Sequence, residues 1–307
     1  MDHGFSQVIV FGAGAVGSLI GARLTVPTVL VGRREHVTAM LEHGLKISGL
    51  EDDRVEVKAS ETCPAIEAGS LVLVAVKIGD IEQSGQILAP LLHGDTEVAV
   101  LSNGLDPDRR LSRILGRPVS RVIVQLGVTL ERPGEVSTWG GTLMLGPGGT
   151  EDRLAVCFEQ AGFPVRRTRD LQRVIWQKLA ANCVANPLSA LTGCCNQDLI
   201  TPDLRGLRQL IVEEVRQLAA TEGIDISEDF LDRLDAALLK SKNQTSMLQD
   251  IRRGRPTEIE FLNGMVATRM MNKGLDAPVN RALAEMVRML SEMKRRDVMV
   301  PAPESRD

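Results

Sequence analysis

Hydrophobic and polar positions in the first half of the chain follow two alternating rhythms. Short β-branched runs at 7–11, 27–31, 70–76, 97–101 and 119–125 read as strands, and 15–25 carries helix-compatible spacing. The run at 70–76 (SLVLVAV) is almost continuously apolar, as expected of a strand covered on both faces. This alternation predicts a mostly parallel sheet with helices on both sides, a Rossmann-like doubly wound α/β fold. After residue 126 the pattern changes. Stretches 135–139 and 142–145, separated by Gly140-Gly141, predict a hairpin that extends the sheet edge; 152–160 then reads as a helix and 163–167 as a last short strand.

From about Leu171 the strand signals stop. Leu204, Leu207, Ile211, Val215 and Leu218 keep helical spacing, and Gly223 stands where a helix-ending glycine belongs. Further helices are predicted over 228–240, 256–273 and 278–292, and the charged, proline-bearing stretch 294–307 is expected to fray. The domain boundary is placed near 168–173, giving a Rossmann-like α/β domain over 1–170 and an all-helical domain over 171–307.

Composition narrows the function. A chain of 307 residues with 43% hydrophobic and 25% charged residues suits two soluble domains. Its net charge of −4 and 3% aromatic content disfavour nucleic-acid binding, whether by global basicity or by base stacking. No run approaches about 20 apolar residues, so no membrane span is expected. The start, MDHGFSQVIVFGAG, reads as a first strand and not as a signal peptide. Five cysteines without ligand spacing fit a reducing cytoplasm and no metal. The adjacent pair Cys194-Cys195 reads as apolar packing, with a redox pair as the alternative.

The first chemical motif is Gly12-Ala13-Gly14-Ala15-Val16-Gly17, a G-x-G-x-x-G directly after a strand and opening a helix. In such a motif the first glycine permits the turn, the second lets a pyrophosphate approach the backbone, and the third lets helix pack against strand. The free N–H groups of the helix start then face the phosphates. The second strand ends in Val31-Gly32-Arg33-Arg34, with no acid before Glu35. An NAD-preferring site would place a carboxylate there. Arg33 instead suits a 2′-phosphate, so NADPH is expected over NADH, with Arg34 a solvated charge. Lys77 and Asn103 fall at the C-terminal ends of further strands, on the rim where ligands bind in such sheets; the bland alternatives are a solvated terminus and a turn residue.

The second motif is a helix. Lys178, Asn182 and Asn186 recur every four residues and share one stripe among small and apolar neighbours. Buried polar groups need partners, which are either a polar ligand or loops of the first domain. Pro187 should kink or thin this helix. All four histidines (His3, His36, His43, His93) lie in the first domain away from any motif, so Lys178 is the candidate acid on this stripe. Further on, Ser246 with Gln249 and Thr257 with Glu260 form helix-capping patterns, and Glu258 sits beside the second.

Taken together, the glycine motif, Val-Gly-Arg at 31–33, Lys77, Asn103-Gly104, the stretch from Trp176 through Lys178, Asn182 and Asn186 to Leu188, and Ser246-Met247-Leu248-Gln249-Asp250 with Thr257-Glu258-Ile259 resemble the ketopantoate reductase (2-dehydropantoate 2-reductase) family over essentially the whole chain. The resemblance implies a helical domain like that of 6-phosphogluconate dehydrogenases and NADPH-dependent reduction of 2-dehydropantoate to (R)-pantoate. It implies Lys178 as proton donor, and Asn182, Asn186, Asn196 and Ser246 as substrate contacts. Asn103 falls between cofactor and substrate. Arg33 and Lys77 match contacts at the adenosine phosphate end, Glu258 a residue near both ligands, and Leu130, in a loop after the sixth strand, a backbone contact to the cofactor. The stretch 125–132 is less polar than the family pattern, which touches the choice of substrate. Another small 2-oxo acid or an imine is the alternative substrate, and a non-catalytic NADP(H) sensor the alternative class. The chain is expected as a monomer or homodimer.

Overall fold

The computed structural model describes residues 4–299, the side chains of 297–299 excepted. His3 and the 300–307 part of the expected frayed tail lie outside them. The chain divides into two compact units, Met1–Leu171 and Gln172–Asp307.

The first unit is a Rossmann-like α/β domain. In chain order it holds β1 (Val8–Phe11), α1 (Ala15–Arg23), β2 (Thr28–Val31), α2 (Arg34–His43), β3 (Leu45–Gly49), β4 (Asp53–Val55), β5 (Lys58–Ser60), β6 (Leu71–Val74), α3 (Ile81–Leu88), β7 (Glu97–Val100), α4 (Pro107–Leu115), β8 (Ser120–Arg132), β9 (Glu135–Leu145), α5 (Gly149–Gln160) and β10 (Val165–Arg167). The strands form one mixed sheet in the order β4-β3-β9-β8-β7-β6-β1-β2-β5, with β10 against β9. Its centre, β7-β6-β1-β2, is parallel, and Phe11 aligns with both Val31 and Val74. These strands are short β-branched runs whose residues in β1 and β6 are almost wholly enclosed, as burial on both faces requires. Register then brings all four C-terminal ends to one rim.

Three features differ from the sequence expectation. The pair Gly140-Gly141 is not a hairpin turn: β9 runs through it unbroken, antiparallel to β8, and the turn lies at Pro133-Gly134. The two glycines instead absorb a bulge, where the ladder slips between Gly127 and Val128. Both have positive φ (79° and 132°), and a Cβ on Gly141 would strike the Gln125 carbonyl. These strands also do not end the sheet, because β3 and β4 lie beyond β9. Strands β3, β4 and β5 carry few apolar residues (LKISG, DRV, KAS) and gave no strand signal.

The second unit is all-helical: α6 (Leu171–Thr192), α7 (Pro202–Thr221), α8 (Phe230–Leu238), α9 (Ser246–Arg252), α10 (Asn263–Asn272) and α11 (Pro278–Met299). Gly223 has φ +73° just after α7, as a helix-ending glycine should. The helix expected over 256–273 is broken. A 3₁₀ turn (Ile259–Phe261) precedes α10, and Leu262 between them leaves helical geometry (φ −114°, ψ −101°). Helix α11 persists through Met299, past the expected start of fraying at Lys294.

Candidate active site

The rim of the first unit is built by the parallel register. Strands about 4.8 Å apart place Gly32, Gly12, Ala75 and Leu101 in a row roughly 14 Å wide. Backbone bonds lock the row: Gly12 and Ala13 N–H donate to Val31 O (3.0 and 2.7 Å), Ala75 N–H to Phe11 O (2.8 Å) and Leu101 N–H to Val74 O (2.9 Å). Each motif glycine has its own steric reason. Gly12 has φ +112°, and a Cβ there would lie 2.7 Å from Val76 N. A Cβ on Gly17 would collide with the Gly12 carbonyl and crowd Val10 and Ala75. A Cβ on Gly14 would meet nothing within 4 Å. Gly14 is therefore not needed for packing; it keeps the approach to the start of α1 open. That start has no side-chain cap and no acid in its first turn. The amides of Ala15 and Val16 have no acceptor among the described residues. The geometry is that of a backbone cradle for an anionic phosphate group.

Arg33 caps α2 next to this cradle, exposed and without an acidic partner among the described residues, whereas Arg34 pairs with Glu61 at 3.2 Å. Lys77 is exposed beyond β6, at the start of a 3₁₀ turn. Asn103 follows β7, half-buried, and its side chain makes no hydrogen bond among the described residues. The preceding Ser102 Oγ–H donates to Val76 O (2.6 Å), tying the ends of β7 and β6. Leu130 lies elsewhere. It sits inside β8, paired with Val136 and packed on the core, not in a loop. Along β8 it is nine positions from Arg121, which is in register with Val100 at the rim.

Sequence reasoning missed His36. Its Nδ1 accepts from Gly134 N–H (2.8 Å), so Nε2 carries the proton and donates to Ser18 Oγ (2.9 Å). The ring joins α1, α2 and the β8–β9 turn behind the cradle. Burial pushes its pKa below the ordinary value of 6.5.

In the second unit the predicted stripe exists. Lys178 and Asn182 are half-buried and Asn186 buried on α6, whose residues 183–190 are all enclosed. The Asn182 and Asn186 amides make no side-chain bond among the described residues. Pro187 leaves the helix continuous. Its missing N–H frees the Cys183 carbonyl, and the fully buried Asn263 supplies the replacement, with Nδ2 donating to Cys183 O at 3.0 Å. The same Nδ2 donates to Asn280 Oδ1 (2.8 Å), while Asn280 Nδ2 donates to the Glu214 carboxylate (2.6 Å). Glu214 also accepts from Val279 and Asn280 N–H (2.9 and 2.8 Å), capping α11. Burial, then the Glu214 charge, pushes the Cys183 thiol pKa up, so it packs as a neutral group.

Asn196 opens a 3₁₀ turn (Asn196–Leu199) and is tied down: Nδ2 donates to Ser241 Oγ (3.1 Å), its N–H to Asn243 O (3.0 Å), and Oδ1 is enclosed. The buried Arg208 anchors the far end of this turn through Leu199 O (2.6 Å) while gripping Asp235 in a fork (2.9 and 2.8 Å). Ser246 is not the cap of α9. Thr245 is, its Oγ1 accepting from Leu248 N–H (3.2 Å), which leaves Ser246 exposed in the first turn. Thr257 likewise caps no helix; the half-buried Glu258 stands at the start of the 3₁₀ turn instead. Asp250 braces this segment through Arg255 (3.1 Å). All five cysteines are free thiols, and Cys194 and Cys195 are half-buried. Among the described residues there is no group of three or more His, Cys, Asp or Glu able to hold a metal ion, and no helix long and apolar enough to cross a membrane.

An uncapped helix start on a Rossmann-like rim and a lysine–asparagine stripe on a helical second unit fit the class of dinucleotide-fold oxidoreductases. Comparison with known proteins narrows this. Residues 8–149 match the family described as ketopantoate reductase PanE/ApbA, and 170–291 its C-terminal counterpart. The chain is 32% identical over 301 residues to 2-dehydropantoate 2-reductase of Halobacterium salinarum, covering 92% of this chain and 98% of that one. A PanE/ApbA family ketopantoate reductase from Ralstonia eutropha JMP134 superposes with a TM-score of 0.88 at 30% identity, covering 94% and 99% of the two chains. A D-mandelate dehydrogenase solved with NADH and anilino(oxo)acetate shares the fold (TM-score 0.86, 23% identity, 94% and 99% covered). The chain belongs to the ketopantoate reductase family.

Proposed function

We propose that this protein reduces 2-dehydropantoate to (R)-pantoate with NADPH, as a cytoplasmic enzyme. The observation that carries the reading is the Lys178–Asn182–Asn186 stripe on a helix whose residues 183–190 are all buried, in a chain whose first unit has an open, uncapped helix start after the glycine motif. Family membership supports the substrate.

Gly14 and the amides of Ala15 and Val16 would hold the pyrophosphate, lined by Gly12, Ala13 and Gly17. Arg33, without an acidic partner among the described residues, would pair with the 2′-phosphate that separates NADPH from NADH. Lys77 adds positive charge at the same rim, and Asn103 presents there an amide that makes no side-chain hydrogen bond among the described residues. Bound NADPH supplies the hydride. The Lys178 ammonium donates a hydrogen bond to the ketone oxygen, then its proton, as charge develops on that oxygen. Asn182 and Asn186 orient the keto acid, with Asn196, Ser246 and Glu258 as further contacts. A protein that only sensed NADP(H) would have no use for a lysine on this stripe.

The test is NADPH oxidation with 2-dehydropantoate, run beside other small 2-oxo acids and imines. Lys178→Ala should lower kcat/KM about 10²–10⁴-fold, the contribution of a positioned acid, with the NADPH dissociation constant nearly unchanged. Unaltered turnover in that variant refutes the role.

A further inference from the structure

Arg121 is buried in a place where an arginine brings no evident benefit. It pairs with Val100 in the sheet, on the row that continues through Val74 to Phe11. The residue is 6% exposed. Its Nη2 donates to Gly104 O at 3.1 Å, while Nε and Nη1 are enclosed without a hydrogen-bond partner among the described residues. Asp108 and Asp106 act on it only through their fields, and burial outweighs them, pushing its pKa down to about 10. A buried charge so poorly satisfied is costlier than an apolar side chain of equal volume. Stability therefore does not explain the residue.

Its single partner does. Gly104 (φ +87°) and Asp106 (φ +57°, the one non-glycine residue with positive φ among the described residues) shape the loop that carries Asn103. Ser102 fixes the entrance of this loop through Val76 O, and Arg110 N–H fixes its exit through Asp106 O (2.9 Å). Between them, among the described residues, the bond from Arg121 is the only hydrogen bond to 103–105. We propose that Arg121 is a positioning residue: it holds the Gly104 carbonyl from beneath the rim and so fixes where the Asn103 amide stands. The claim rests on the proposed reductase reading, in which Asn103 contacts the ligands. It adds a residue that touches neither of them.

The test uses the full chain with Arg121→Met, which keeps the aliphatic stem and removes the charge. The melting temperature should stay level or rise. The 103–105 backbone should loosen once the tie at the Gly104 carbonyl is lost, its amide order parameters falling from about 0.85 towards 0.6. For 2-dehydropantoate, kcat/KM should fall roughly 10–100-fold, as misplacement of a contact group does. In an Asn103→Ala background the same substitution should cost little more, because Arg121 acts through Asn103. Wild-type order in the loop, wild-type turnover, or additive losses in the double variant each overturn the proposal. Arg121→Lys serves if the methionine variant does not fold: partial turnover with partial loop order is expected, and full turnover over a disordered loop overturns the idea. Should the wild type not reduce 2-dehydropantoate, the functional reading fails, and the order parameters of the loop still decide the positioning claim.

Discussion

Replacing Gly14 and Gly17 separately by alanine divides ligand binding from folding. At Gly14 the backbone (φ −90°, ψ −160°) is open to any residue, and the new methyl meets nothing within 4 Å. Alanine is a poorer helix cap than glycine by about 0.5–1 kcal/mol. Restriction of the unfolded chain returns about 0.4–1 kcal/mol, so the net change in stability is small. The methyl does stand where phosphate oxygens must come to reach the amides of Ala15 and Val16. Losing one such charge-assisted bond costs about 1.5–3 kcal/mol, roughly 10–100-fold in affinity. Gly17→Ala is the opposite case. Its methyl meets the Gly12 carbonyl, Val10 and Ala75, and overpacking of this kind costs about 1–3 kcal/mol, with each kcal/mol lowering the melting temperature by roughly 2–4 °C. Thermal melts and titration of NADPH fluorescence separate the two. A Gly14→Ala protein that binds NADPH as tightly as wild type, or melts as early as Gly17→Ala, would refute the cradle.

Other expectations are simpler. Arg33→Asp should weaken NADPH on the order of 100-fold while changing NADH little, because one phosphate–guanidinium pair becomes a repulsion; equal effects on both titrations make Arg33 a bystander. Asp235→Ala leaves the buried Arg208 guanidinium without its fork and should cost about 3–5 kcal/mol in urea unfolding; a cost near zero would mean the pair is not buried in solution. His36 should make the protein acid-sensitive. Its folded pKa lies below 6.5, so the unfolded state binds more protons in the window beneath 6.5. Its contribution is complete above about pH 6.5 and is lost as pH falls towards the depressed folded value. His36→Asn, whose Oδ1 can take the place of Nδ1, should flatten that slope in denaturant midpoints measured across it, and an unchanged slope assigns it to other groups.

What could be read from the amino-acid pattern was what local chemistry alone decides. The glycine motif and the Lys178–Asn186 stripe depend on spacing within one element, and both stand where the spacing places them. What failed depended on partners far along the chain. Nothing near Gly140-Gly141 says whether two glycines turn a chain or bulge it; the length of β8 opposite decides. Thr245 and Ser246 are equally good caps by type, and only the packing of α9 chooses between them. The break at Leu262 stands directly before Asn263, whose side chain bonds the Cys183 carbonyl of α6, eighty positions back along the chain. Arg121 and His36 gave no signal, since a polar residue at a strand or helix start reads as solvated until its neighbours are known.

The bond between Asn263 and the Cys183 carbonyl also constrains how this protein can diverge. A proline in α6 is tolerable only while an asparagine from another helix replaces the amide it lacks, and that asparagine has a fully used donor only while the proline is there. Among descendants of this chain the two positions should change together or not at all, and a lineage that loses one first must pass through a poorer protein before it can lose the other.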